Sequence, residues 1–82
     1  MKIILSAKAR RQLHTLPASE GLKVGRKLLE LDNNPFAGKP LTGKFKSFHS
    51  LRAWPYRIIY QVDKNNKVVT IRTIEHRQGV YK

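Results

Sequence analysis

The chain opens on a short apolar run, Ile3-Ile4-Leu5 after Lys2, closed by Ser6. A β-branched run followed by a hydroxyl residue reads as a strand that hands over to a helix capped by serine. In the next stretch, AKARRQLHTL, helix formers dominate and Ala9, Leu13 and Leu16 fall on one stripe until Pro17 stops the helix. A second helix is predicted over EGLKVGRKLLELDNN, capped by Ser19, with Leu22, Gly25, Leu28, Leu29 and Leu31 on one face and Lys23, Arg26, Lys27 and Glu30 in water. Asn33-Asn34-Pro35 ends it, and the two helices with their short joint suggest an αα-hairpin.

From Phe36 to Gly43 the pattern is that of a loop, with Gly38, Pro40 and Gly43. The period then changes from that of a helix to that of a strand. KFKSFHSLRAW and YRIIYQV alternate, Asp63 to Asn66 is a polar turn, and KVVTIRTI is rich in Val, Thr and Ile. The predicted order is β-α-α-β-β-β. That is an α+β architecture, with two N-terminal helices packed on a small, mainly antiparallel sheet. Residues 1–82 form one domain without repeats or linkers. Alternation also sorts the strand residues by face. Lys44, Lys46, Phe48, Ser50 and Arg52 share one side, Phe45, His49, Leu51 and Ala53 the other; in the next strand Tyr56, Ile58, Tyr60 and Val62 oppose Arg57, Ile59 and Gln61.

Composition adds two constraints. With 82 residues and no cysteine, the fold rests on one hydrophobic core without disulfides or thiolate metal sites. The apolar runs are too short to span a bilayer, so a soluble, cytoplasmic protein with no membrane partner is expected. Charge changes the picture more. Seventeen Lys and Arg against five Asp and Glu give +12, and the excess is spread over both halves of the chain. A cationic body of this kind attracts polyanions, nucleic acid first among them.

The chemistry-bearing positions are then few. Arg57 interrupts an apolar strand, where an unpaired guanidinium is rarely tolerated. It either pairs with an acid such as Glu75 or joins Arg52 and Arg77 in gripping a phosphate with planar, bidentate donors. Arg72 is a further basic residue that alternation could equally leave on a solvated face. Lys44 and Lys46 would extend a basic track, and Phe48, Trp54, Tyr56 and Tyr81 are interleaved with it as aromatic surfaces able to stack a base, or as core. His14, His49 and His76 are scattered, so no metal-ligand spacing appears, and neither a Gly-x-Ser-x-Gly element nor a glycine-rich phosphate loop is present. Metal-free, cofactor-free cleavage of RNA needs only a base for the 2′-OH, cations for the phosphorus and an acid for the leaving oxygen.

The segment LRAWPYRIIYQVDKNNKVVTIRTIEHRQGVYK, with NPFAGKPLTGKFKSFHSLR upstream, resembles the RelE/ParE superfamily of type II toxins, whose pattern places Tyr-Arg-aliphatic-aliphatic-Tyr ahead of His-Arg-x-x-Val-Tyr. The resemblance implies a ribosome-dependent mRNA endonuclease that inhibits translation, restrained in a hetero-oligomer by a cognate antitoxin. It implies that Arg57 holds the scissile phosphate, that Arg77 is a general acid or charge stabiliser, that Tyr81 stacks on or orients the nucleotide, and that Arg52 is a supporting cation. Two positions depart from the pattern: Ser50 stands where a basic residue credited as the base is usual, and Trp54-Pro55 replaces the glycine before Tyr-Arg. Lys46 and His49 are the substitutes for the base, although His49 lies on the opposite face unless a bulge at Trp54-Pro55 re-aims it. Lys44, His76 and Phe48 are expected to contact RNA. The charge leads us to expect an acidic or amphipathic antitoxin segment over the basic face. A ParE-like inhibitor of DNA gyrase, sharing the fold without the catalytic set, is the alternative.

Overall fold

The structure is a computed structural model that describes residues 1–41 and 47–77. Its elements are β1 (Lys2–Leu5), α1 (Ala7–Thr15), α2 (Ala18–Asn33), β2 (Lys39–Pro40), β3 (Phe48–Ala53), β4 (Tyr56–Asp63) and β5 (Val68–His76). The strands form one sheet in the order β1-β5-β4-β3-β2. β1 runs parallel to β5 and every other pair is antiparallel. The α+β architecture expected from the pattern is therefore present, as two helices on a five-stranded mixed sheet.

Ser6 begins α1 as its sequence suggests: its backbone is extended and its Oγ accepts from the Ala9 N–H at 3.0 Å. α2 differs from expectation at its start and in its face. It begins at Ala18 behind Pro17, and Ser19 lies inside the first turn rather than capping it. Val24, Leu28 and Leu31 are the buried stripe, while Leu22 and Leu29 are 66% and 70% exposed. Leucines recur on both sides of this helix, so counting them does not choose the inner one; Val24 does, because it is in phase with Leu28 and Leu31.

The core lies between the helices and one sheet face: Ala9 of α1, the α2 stripe, Leu51 and Ala53 of β3, Ile58 and Tyr60 of β4, and Val69, Ile71 and Ile74 of β5. Fully burying an aliphatic side chain of this size contributes about 1.5–3 kcal/mol. Ile71 and Ile74 are three apart and yet both face inward, because β5 carries a bulge. Tyr60 pairs with Ile71 and Ile59 with Thr73, leaving Arg72 as the extra residue. Trp54-Pro55, joined by a cis bond, forms the β3–β4 turn. Helix α1 satisfies two backbone groups at the bulge: Ser6 Oγ donates to the Arg72 carbonyl at 2.8 Å, and Gln12 Oε1 accepts from the Ile74 N–H at 2.7 Å.

Two further differences position the site. The stretch read as loop contains β2, two residues that pair with His49 and Ser50. So short a strand, half of it proline, leaves no periodic signal; Pro40 is tolerated because β2 is an edge. Strand β5 also runs on through Glu75 and His76, two residues beyond the stretch read as strand.

Candidate nucleic-acid interface on the open sheet face

The strands alternate their side chains between the helix-covered core and an uncovered face. On the uncovered face, β3 presents Phe48, Ser50 and Arg52, and β4 presents Arg57, Ile59 and Gln61. Arg52 and Arg57 are direct cross-strand partners. Like charges placed opposite one another in this way cost stability, by up to about 1 kcal/mol against a neutral pair. On the other side of β4, Glu75 is the cross-strand partner of Arg57, so the acid suggested by sequence is the one the register supplies.

The remaining acids are engaged elsewhere. Glu20 pairs with Lys23, Glu30 with Lys27, and Asp32 with the N-terminal ammonium. Asp63 accepts from Asn66 in the β4–β5 turn, and those hydrogen bonds hold its carboxyl below the usual range. Around the arginines a cleft of about 520 Å³ is lined by residues 37–41, Ser50, Leu51, Arg52 and Arg57. Beside it a second hollow of about 300 Å³ lies between Leu41, Phe48, Ile59, Arg72, Thr73 and Glu75. The bulge thus brings Arg72 to the same face, a position that strict alternation left open.

Arg77 joins this end of the sheet through the hairpin turn. Its N–H donates to the Pro55 carbonyl at 2.8 Å, and its guanidinium sits 4.9 Å from the centre of the exposed Trp54 ring. A cation held over an indole in this way is stabilised by about 0.5–1 kcal/mol at an exposed site. Trp54, which sequence could not assign to core or surface, therefore carries Arg77. His76 is exposed and meets Tyr56 edge-on at 5.3 Å.

His49 is placed apart from these groups. It stacks on Tyr60 at 5.3 Å, meets Phe36 edge-on at 5.8 Å, and points to the helix side of the sheet, as alternation had indicated. Its Nδ1 is buried without a hydrogen-bond partner, and desolvation lowers its pKa below 6.5. Lys44, Lys46 and Tyr81 lie outside the described residues. Among the described residues no group of three His, Asp or Glu comes together as a metal site, and no helix is long and apolar enough to cross a membrane.

Two helices on a five-stranded mixed sheet are also the frame of solved toxin structures. The family of ParE toxins of type II toxin–antitoxin systems matches residues 3–81. The chain belongs to that family, within the RelE/ParE superfamily. Toxin RelG of Mycobacterium tuberculosis is 33% identical over 76 residues, covering 90% of this chain and 87% of RelG. The toxin–antitoxin complex RelBE2 of the same organism contains a chain that superposes with a TM-score of 0.85 at 31% identity, over 93% of this chain and 96% of its own. The intact RelBE complex of Escherichia coli gives a TM-score of 0.77 at 19% identity over 92% and 94% of the two chains, a likeness of fold.

Proposed function

We propose that this toxin is a metal-free RNA endonuclease that acts on mRNA at the ribosome and arrests translation. One observation carries the reading: Arg52 and Arg57 face each other across β3 and β4 at the cost of their own repulsion. An anion seated between them turns that cost into binding, and a phosphodiester is the anion that two planar guanidinium groups suit best.

In the proposed reaction the 2′-OH loses its proton and its oxygen attacks the adjacent phosphorus. The bond to the 5′-oxygen breaks, that oxygen takes up a proton from water, and a 2′,3′-cyclic phosphate remains. Arg52 and Arg57 hold the phosphate and stabilise the negative charge that grows on it. Arg77, set on Trp54, acts as a further cation beside the phosphate. Tyr81 orients the nucleotide, with Phe48 and Lys44 contacting the flanking RNA; His76, set against Tyr56, lies on the side of the sheet opposite Arg57 and Glu75. Since His49 is turned to the helix side, the base is Lys46.

The toxin is inactivated by a cognate antitoxin, as the complexes formed by its structural relatives suggest. The exposed Leu22 and Leu29, flanked by Lys23, Arg26 and Lys27, suit an acidic amphipathic segment of that partner.

The family's ParE description keeps a second reading in view, inhibition of DNA gyrase without cleavage. Mapping transcript 5′ ends after induction without antitoxin decides between them. Codon-phased cuts are expected; loss of supercoiling with intact transcripts would establish the gyrase reading instead.

A further inference from the structure

We infer that Lys39 provides a second phosphate subsite, which holds the RNA backbone phosphate next to the one gripped by Arg52 and Arg57. This rests on the nuclease reading for the identity of the first phosphate. Lys39 lies in the segment whose composition reads as loop, and only the pairing of β2 with β3 brings it to the sheet.

The placement follows from register. Lys39 is the cross-strand partner of Ser50, so its side chain leaves the sheet on the same face as Ser50, Arg52 and Arg57, and it lines their cleft. Ser50 itself carries no charge and is a poor phosphate ligand unaided. Lys39 is diagonal to Arg52, and diagonal neighbours on one face are about 7–8 Å apart. That is the spacing of the two strand positions, and with side chains as long as lysine and arginine it leaves their charged ends room to hold two successive phosphates of one strand. Among the described residues neither Lys39 nor Arg52 is ion-paired, so both charges are available to an anion.

The neighbouring residue fixes where Lys39 stands. Gly38 donates its N–H to the Tyr60 hydroxyl at 2.9 Å. A Cβ at position 38 would lie 2.7 Å from that hydroxyl and 2.7 Å from the Ser50 carbonyl oxygen, so only glycine lets β2 approach this closely. Tyr60 is fully buried. The subsite is therefore anchored to the core by a glycine whose space is already taken.

Binding of a single-stranded RNA oligonucleotide carrying 2′-O-methyl groups, which cannot be cleaved by 2′-OH attack, tests this across a salt series. Lys39→Ala is expected to weaken binding several-fold at low salt and to reduce the slope of log K against log salt by about 0.7, one phosphate contact on a single strand. Lys39→Arg should restore both, and Lys8→Ala, an exposed charge on α1, should change neither. In cleavage of mRNA bound to ribosomes, Lys39→Ala should raise KM and leave kcat within about twofold, because a flanking phosphate is held equally before and during the reaction. A slope and affinity equal to wild type in Lys39→Ala, or an equal loss in Lys8→Ala, would overturn the subsite. A wild-type protein that binds the oligonucleotide through Lys39 and never cleaves mRNA on ribosomes would overturn the nuclease reading and leave the subsite standing.

Discussion

Residues 57 and 58 are neighbours in sequence and opposites in surroundings. Ile58 is fully buried against the helices, whereas Arg57 faces the cleft, beside Arg52 and across from Glu75. The same contrast runs along both strands: Leu51 against Arg52, Tyr60 against Ile59 and Gln61. One face of β3 and β4 supplies stability and the other gives some of it up, since like charges are set opposite one another. A two-residue period lets a chain of 82 residues keep these tasks one atom layer apart.

Breaking the covered face should have the largest effect. Ile58→Ala is expected to cost about 2–5 kcal/mol, which approaches the whole stability of a domain this size at roughly 0.05–0.15 kcal/mol per residue; denaturant unfolding will report it as a shifted or missing midpoint. One residue away, Arg57→Ala is expected to reduce RNA cleavage about a hundredfold or more while lowering the unfolding midpoint far less than Ile58→Ala does. A midpoint that falls as far as in Ile58→Ala would erase the distinction between the two faces.

A gentler change sharpens it. Trp54→Ala removes the platform under Arg77 and not the charge, so cleavage should drop by the few-fold that about 0.5–1 kcal/mol allows. Arg77→Ala should cost far more, with little loss of stability. Equal losses in the two variants would mean that Trp54 does more than hold Arg77.

The smallest effect concerns His49 on the covered side. Its folded pKa is depressed by burial, so the unfolded chain takes up a proton first as pH falls through about 6.5. Stability should therefore decline below that pH, until the folded form is protonated as well, and should be level above it. Melting temperatures measured between about pH 7.5 and 5 should show this decline in the wild type and a flatter profile in His49→Phe.

Sequence made much of this legible, and the misses have identifiable causes. Alternation separated Arg52 and Arg57 from Leu51 and Ile58 because strands in an antiparallel meander keep a strict period of two. It placed Arg72 outside and Ile71 inside, and it could not show that a bulge at Arg72 shifts the phase by one residue and lets Ile71 and Ile74 share the core. The face of α2 was misread because leucine occurs on both sides, one to bury and one left bare. Lys39 escaped because its strand is two residues long, and nothing local announces its pairing with Ser50, eleven positions away. Trp54 beneath Arg77 had no signal either, since a ring beside a distant cation follows from the path of the chain.

The parallel pairing of β1 with β5 bears on how the protein is made. Lys2 aligns with Val68 and Leu5 with Ile71, so β1 has no strand to pair with until β5 has been made. A ribosome adds roughly 5–20 residues per second, and for the several seconds that separate the two strands the apolar run Ile3-Ile4-Leu5 is without its sheet. Pairing of β5 with both β4 and β1 then joins the earliest and latest of these strands in one step.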